Sequence, residues 1–227
     1  MAISIGSYVL DDRTTTVRET YEAVGGKETR LIQITGLLRG VADQGMLVAA
    51  LDGLLEAASA VSPVYVSLRQ GRRLLARREE FSREVHGRHL TGQFALALRA
   101  DGPGEESDVE HVLPWSIAAS GSTVSVTNGG TASTLPVIAL EMLGDNYGVQ
   151  LSDGVRALTY DGLIKAGAML VVDGPSGQVL LDGVDVTPYT TGDFLQLVPG
   201  ETVLTYSDDP ASSHLIDGTV AFRDRWW

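Results

Sequence analysis

A phosphate-binding loop is the first chemistry that the sequence suggests. The stretch VTNGGTASTLPVIALE, residues 126–141, sets two glycines among threonines and serines, and GGKE at 25–28 places a lysine beside two glycines. A P-loop requires G-x-x-x-x-G-K-[ST] followed by a helix. Lys27 and Lys165 are the only lysines in the chain, and neither stands in that frame. Both stretches are therefore predicted to be turns.

Nucleophilic chemistry finds little support in the residues. Ser176 lies in DGPSGQ, which lacks the G-x-S-x-G pattern and has hairpin-like flanks rather than a strand, a turn and a helix. The acids stand mostly in turns, where aspartate is expected for local hydrogen bonding. The sequence predicts no catalytic residue. A glycosidase remains an open alternative, because it needs two acids that face each other across a groove, and sequence spacing on a β fold does not reveal such a pair.

Metal chemistry would depend on histidine and carboxylates, because the chain has no cysteine. Glu84, His86 and His89 are the densest group, but on a strand the two histidines would face opposite sides of the sheet. His111 and His214 are isolated. No metal site, cofactor or disulfide is predicted.

The charge of the chain opposes nucleic-acid binding. The formal net charge of the 227 residues is −12, whereas phosphate binding needs a surplus of lysine and arginine. Residues 1–110 hold 13 basic and 16 acidic side chains, and residues 111–227 hold 4 and 13. The N-terminal segment has no signal-peptide pattern, and apolar runs such as AMLVV are far shorter than the roughly 20 residues of a membrane span.

The chain is predicted to form two β-rich domains, at residues 1–110 and 111–227. Glycine, proline and acids replace apolar periodicity between them, which places the boundary within 102–114. In the first domain, residues 43–60 show helical spacing, with Asp43 as the N-cap and Ser62–Pro63 as the stop. Alternation predicts strands whose inward side chains are Ile32 and Ile34; Val64, Val66 and Leu68; and Phe94, Leu96 and Leu98.

The stretch GRRLLARREEFSREVHGRHL, residues 71–90, fits a helix or two strands. We favour two long strands joined near Gly87, because Gln70-Gly71 is a hairpin signal. Its arginines also have two interpretations, a solvated face with internal ion pairs or an edge that docks on an acidic partner, and the mixed signs favour neither. They are Arg69, Arg72, Arg73, Arg77, Arg78, Arg83 and Arg88.

The second domain is predicted to be an antiparallel β-sandwich. Short alternating runs recur between turns at 152–154, 173–177, 182–183 and 199–200, in which glycine supplies positive φ. In the opening stretch, a strand ends at Val126 and Asn128-Gly129-Gly130 forms a turn, since these residue types tolerate left-handed backbone. Pro136 begins the next strand.

The order of these pieces resembles the distal tail protein of long-tailed, non-contractile bacteriophages. The similar segments are TRLIQITGLLRG (29–40), GRRLLARREEF (71–81), QFALALRADGP (93–103), the stretch 126–141, LVVDGPSGQVLLDGVDV (170–186) and LVPGET (197–202). The resemblance implies an N-terminal β-sheet or barrel-like domain with one helix, which forms a ring, followed by a galectin-like β-sandwich.

The same resemblance implies a structural virion protein rather than an enzyme. Such a protein forms a hexameric ring with copies of itself, joins the tail tube protein to the tail-tip hub protein and leaves a channel through which DNA passes without specific binding. The expected location is the virion tail tip, after assembly in the host cytoplasm and without membrane insertion.

The alternative is a galectin-like module that binds host-surface carbohydrate. It would need an exposed aromatic side chain to stack on a sugar face. The candidates are Trp115, Tyr147, Tyr160 and Tyr189.

Overall fold

The computed structural model describes residues 3–24, 27–100 and 102–227. The chain divides into two compact units, Met1–Asp108 and Val109–Trp227. Within the described residues, strands dominate and there is one α-helix, so the predicted mainly β class is confirmed. The helices of the described residues include none with the length and apolar character of a membrane span. The predicted turn at 25–28 falls partly outside the described residues.

The first unit is built on one antiparallel sheet and one helix. Its strands run in the order β2-β1-β5-β6-β7-β4-β3, with β8 beside the start of β6. The elements are β1 Ile3–Ile5, β2 Tyr8–Leu10, β3 Thr15–Val24, β4 Lys27–Leu38, α1 Gln44–Ala57, β5 Val64–Arg69, β6 Arg72–His86, β7 Thr91–Ala100 and β8 Glu105–Ser107.

Helix α1 begins where the sequence predicts and ends early. The Asp43 side chain accepts a hydrogen bond from Met46 N (2.8 Å), which makes it the N-cap. The apolar face, which includes Leu47, Leu51 and Leu54, is buried. The helix ends at Ala57 rather than Ala60, because the Ser59 hydroxyl accepts the backbone N–H groups of 61 and 62 (3.2 Å each) and replaces the helical pattern.

The core of the first unit follows the predicted alternation. Ile32, Ile34, Leu96 and Leu98 are buried in one cluster with the apolar side chains of α1, and so are Phe94, Val66 and Leu68. Val64 is half-buried and packs against that cluster. The ambiguous stretch 71–90 forms the long strand β6 and a turn at 87–90, in which Leu90 has a φ of 47° and which joins β6 to β7. The prediction of two strands is therefore confirmed.

The second unit consists of two antiparallel sheets that share a core. One has the order β10-β18-β12-β13-β17 and the other β16-β15-β14-β11-β19-β9. The elements are β9 His111–Ile117, β10 Thr123–Asn128, β11 Val137–Met142, β12 Asn146–Ser152, β13 Ala157–Ile164, β14 Met169–Asp173, β15 Gln178–Leu181, β16 Val184–Asp185, a 3₁₀ turn Thr187–Tyr189, β17 Thr190–Gly192, β18 Gly200–Ser207, β19 Ile216–Phe222 and β20 Arg225–Trp226.

The turns of the second unit contain the predicted glycines. Gly154, Gly177, Gly183 and Gly200 have φ values of 86°, 67°, 79° and 92°, a region that side chains with a Cβ resist.

The turn at 128–130 forms for a different reason from the predicted one. None of its residues is among those with positive φ, so the expected left-handed backbone is wrong. Instead, the buried Asn128 side chain donates to Ala132 O (2.9 Å) and Leu197 O (3.1 Å) and accepts from Gly130 N (2.9 Å). Gly130 is required by close approach, since a Cβ there would lie 1.9 Å from Arg225 O. Packing, rather than backbone conformation, selects these residues.

The Asp153 side chain links two loops of the second unit by hydrogen bonds. Its carboxylate, 2% exposed, accepts backbone N–H groups from Val155 (2.9 Å), Arg156 (2.6 Å) and Gln196 (2.9 Å). Burial opposes the charged form, but the three amides outweigh it and lower the pKa of Asp153 below its usual value.

Replacing Asn128 by alanine should lower the free energy of unfolding by about 2–4 kcal/mol, because two buried carbonyl groups and one amide lose their partner. Denaturant titration of the purified protein measures this change. The matched control is Thr127→Ala on the exposed side of the same strand, which should change the value by less than about 0.5 kcal/mol. Equal effects of both variants would contradict the role of Asn128.

The contribution of Asp153 to stability should depend on pH. Because its pKa is lowered in the folded state, its stabilising effect is present above the ordinary aspartate pKa of 3.8 and decreases as the pH falls below it. Asp153→Asn should therefore differ from the parent in unfolding free energy at pH 7, and the difference should shrink toward pH 3. A difference that grows in acid would disprove the assignment.

Candidate assembly surface

The first unit leaves one face of its longest strands uncovered. Strands β6, β7, β4 and β3 lie side by side, and the register aligns Ser82, Ala95, Thr35 and Thr16 in one row across them. A second row holds Glu80, Ala97, Gln33 and Arg18. We call the surface formed by these two rows and their neighbours the open face. It forms because side chains alternate along each strand and the intervening residues fill the core with α1.

The open face is mostly small and uncharged. The floor of a shallow trough is formed by Ala95 and Ala97, with Gln33 and Thr35 on one wall and Glu80 and Ser82 on the other. Such a surface offers hydrogen-bonding groups beside small apolar side chains.

One arginine on the open face is neutralised within the unit. The Arg99 guanidinium binds the Glu79 carboxylate and donates to Glu22 Oε2 (3.2 Å). These hydrogen bonds, led by the one to Glu79, raise the pKa of Arg99. By contrast, no ion pair joins Arg18 or Glu80 to another side chain in the described part of the chain.

Two different strand edges border the open face. Strand β3 pairs with β4 alone, so its ten residues leave one side without a β partner among the described strands. Strand β6 pairs with β5 only up to Ala76, whereas its pairing with β7 continues to His86. In the described residues, no backbone hydrogen bond occupies the second side of 79–85. Unpaired edges of this length are templates for another strand.

A buried ionic cluster fixes the edge strand β3 to the rest of the unit. Arg30 on β4 is 1% exposed; it binds Glu19 on β3 and donates to Glu105 Oε1 on β8 (2.8 Å). Its Nη1 donates to Pro103 O (3.2 Å). Arg69, at the end of β5, binds both carboxylates. Burial opposes a higher pKa for Arg69, but these carboxylates outweigh it and raise that pKa.

Local sequence patterns did not predict this cluster, although β4 carries one sign of it. Arg30 lies two residues before Ile32 on β4, so it faces the same side of the sheet as Ile32 and Ile34. The alternation therefore places a charged residue among side chains that are predicted to be buried. A buried guanidinium requires carboxylate partners. Its partners Glu19 and Glu105 are 11 and 75 residues away, which no local pattern reveals.

The arginine run is largely paired within the first unit. Arg69 and Arg72 bind Glu105, and Arg73 binds Glu106 while its guanidinium lies 3.7 Å from the centre of the Tyr65 ring. Arg78 donates to Leu55 O (2.8 Å), and Arg83 binds Asp52 on α1. These contacts favour the internal ion-pair interpretation for four of the seven arginines, and Arg78 is bound to a backbone carbonyl instead. Arg77 and Arg88 are exposed.

The residues considered above for metal binding or nucleophilic catalysis do not form a metal centre. His86 Nε2 lies 3.6 Å from Glu84 Oε1 on β6, and His89 lies in the turn that follows. Over residues 3–24, 27–100 and 102–227, no three histidine or carboxylate side chains are arranged to hold a metal ion. Ser176 stabilises its own turn, since its backbone N–H and hydroxyl donate to Asp173.

The isolated histidines each meet an aspartate in the second unit. His111 Nε2 lies 3.1 Å from Asp224 Oδ2, and His214 Nδ1 lies 2.8 Å from Asp208 Oδ1. Tyr206 donates its hydroxyl to the same Asp208 (2.7 Å), and burial together with this bond raises the pKa of Tyr206. These contacts connect loops to strands.

The aromatic candidates for sugar stacking differ in exposure. Trp115 is 2% exposed and lies in the core, so it presents no free ring face. Tyr160 is half-buried and packs against the core cluster. Tyr147 and Tyr189 are exposed.

Comparison with known proteins shows which family the second unit resembles. Residues 129–226 match the family model described as the siphovirus-type tail component, C-terminal domain. The second unit is therefore similar to the C-terminal domain of siphovirus-type tail components. The predicted resemblance to distal tail proteins of siphophages is thereby confirmed. No curated protein matches the sequence.

The fold of the chain matches a solved structure over its whole length. The chain superposes on the Dit (gp 19.1) protein of phage SPP1, described as a paradigm of hub adsorption apparatus in phages that infect Gram-positive bacteria. The TM-score is 0.66 at 16% identity, with 100% of this chain and 94% of that chain covered. A structure of the phage P2 baseplate in its activated conformation with Ca aligns at a TM-score of only 0.37 and 6% identity, over 92% of this chain and 87% of that one.

Replacing Glu105 by glutamine should lower the free energy of unfolding by about 3–5 kcal/mol, because Arg30 would remain buried with half of its compensating charge removed. Thermal or denaturant unfolding measures the loss. The control is Asp52→Asn, which breaks the exposed pair with Arg83 and should cost less than about 1 kcal/mol. A loss at Glu105 no larger than at Asp52 would refute the structural role of the ionic cluster.

Proposed function

We propose that this protein is a distal tail adaptor, which forms a ring between the tail tube protein and the tail-tip hub protein. The resemblance to distal tail proteins implies that the ring has six copies. The observation that carries the proposal is the family match of 129–226. The fold match over the whole chain supports it. In this assignment residues 1–110 form the ring and residues 111–227 form a galectin-like sandwich.

The two unlike edges of the first unit support ring formation. A closed ring of identical subunits needs a head-to-tail interface, in which one surface of each copy meets a different surface of the next. Strand β3 and residues 79–85 of β6 are two such surfaces on one unit.

The composition of the open face supports a channel that DNA traverses without binding. Retention of DNA requires lysine and arginine side chains that neutralise phosphates. The two rows of the open face hold Thr, Ser, Gln and Ala with one acid, Glu80, and one base, Arg18, so their charges balance. The neighbouring Arg99 is bound to glutamates. The acid surplus of the chain lies mainly in residues 111–227. We therefore propose a channel wall that is polar and carries few unpaired basic side chains.

The adaptor needs no catalytic residue, metal or cofactor, since its function is to bind neighbouring proteins. In the proposed virion it lies at the tail tip, after assembly in the host cytoplasm, with no membrane insertion.

The purified protein should assemble into a ring, alone or when the tube protein is added. Native mass spectrometry gives the number of copies, and negative-stain electron microscopy shows a central opening. A chain that stays monomeric at high concentration, with tube protein and hub protein present, would refute the adaptor function.

A further inference from the structure

One sheet of the second unit turns an apolar surface toward the solvent. Side chains alternate along a strand, so every second residue of β9, β19, β11, β14 and β15 points away from the core. The register aligns these outward residues in rows across the strands. One row consists of Pro114, Thr219, Ala139, Val171 and Leu180, and the row beside it begins with Val112, Ala221 and Val137. We call the residues of this list the apolar face.

The apolar face departs from the usual pattern of a solvated sheet. Val112 is 59% exposed, and Ala139, Val171 and Leu180 are half-buried. An antiparallel sheet that faces water normally carries polar side chains on its outer side. The other sheet of the same unit follows that rule.

The outer side of that other sheet carries mainly hydroxyl and amide side chains. They are Thr123, Ser125, Thr127, Thr205, Gln150, Ser152, Thr159 and Thr191. The outward apolar residues are therefore concentrated on one side of the unit. A contiguous exposed apolar surface marks a site of contact with another molecule.

Two carboxylates border the apolar face in the next row. Glu141 on β11 lies directly opposite Asp217 on β19, and both are exposed. Neither has an ion-pair partner within the described residues. Like charges that face each other across two strands destabilise the sheet. A basic side chain from outside the unit would relieve this repulsion.

The charges decide which molecule fits the apolar face. Residues 111–227 hold 4 basic and 13 acidic side chains, so DNA phosphates and anionic lipids are repelled. Contact with the same face of another copy would leave the acid pair uncompensated, because the three rows contain no lysine or arginine. A protein surface with an apolar centre and a basic border matches both features. The five strands span about 19 Å at roughly 4.8 Å per strand, a width that a protein surface can cover.

We propose that the apolar face docks a different protein of the tail, whose contact surface carries lysine or arginine beside an apolar centre, and that Glu141 and Asp217 bind its basic side chains. The inference rests on the proposed place of this protein in the tail. It adds a contact surface on the second unit to the surfaces of the first unit that support the ring. Burial of the apolar face stabilises the contact, and the acid pair selects and orients the partner.

Cysteine labelling tests whether the apolar face is covered, since the chain has no cysteine of its own. Val112→Cys lies at one end of the face, and Met169→Cys lies beside Glu141 in the bordering row. The matched control is Val203→Cys, which replaces a valine that is 45% exposed on the other sheet. A maleimide should label all three variants in the purified protein. In assembled tails, labelling at 112 and 169 should slow by about tenfold or more, because a packed contact excludes the reagent, and labelling at 203 should not change.

Each other outcome of the labelling contradicts a stated part of the proposal. Equal labelling at 112, 169 and 203 in tails would overturn the docking and leave the ring intact. Slow labelling at 112 and 169 already in the ring of purified protein would show that copies of this chain cover the face, and would overturn the choice of partner. Absence of the protein from purified tails would overturn both the docking and the adaptor function.

Charge reversal tests the basic border of the partner. Glu141→Lys should leave thermal unfolding unchanged or raise its midpoint, because a lysine opposite Asp217 replaces a like-charge pair by an opposite pair. The same variant should weaken docking by about tenfold and speed labelling of Val112→Cys in tails by the same factor, since the reagent enters when the contact opens. The control is Glu201→Lys, an exposed acid on the other sheet, which should keep the slow labelling. Slow labelling that persists in Glu141→Lys, or an equal increase in Glu201→Lys, would overturn the role of the acid pair.

Discussion

The burial of Arg30 is the interaction on which the first unit depends. A guanidinium at 1% exposure is tolerated only with carboxylates beside it, and those carboxylates come from β3 and β8. Because Arg69 at the end of β5 shares them, four segments distant in sequence are held at one point. The edge strand is therefore positioned by charge as well as by its backbone bonds to β4.

The two units are stabilised in different ways. The first contains one folded sheet with an ionic cluster at its margin, whereas the second contains two sheets around an apolar core with buried polar side chains at its loops. Asn128 and Asp153 each satisfy backbone groups of two separate segments. The loops of the sandwich are thus held by side chains that the hydrophobic pattern does not reveal.

The sequence predicted what depends on local periodicity. Leu47, Leu51 and Leu54 marked the helix, and Ile32, Ile34 and Leu96 marked the strands, because burial of one side imposes a period that the chain itself displays. It did not predict the partners of Arg30, the contacts of Asn128 or the open face, because these depend on which strands become neighbours. The pairing of β4 with β7 joins residues more than 50 positions apart.

The register irregularity between Arg78 and Glu80 in β6 sets which side chains face outward beyond it. The extra residue lets Glu79 bind Arg99 while Glu80, Ser82 and Glu84 still lie on the open face and Phe81 packs against the core. If β6 paired with β7 without this irregularity, every later position would be inverted, turning the carboxylates inward and the phenyl ring to solvent. The offset in pairing at this point therefore decides which face of the sheet carries Glu80, Ser82 and Glu84.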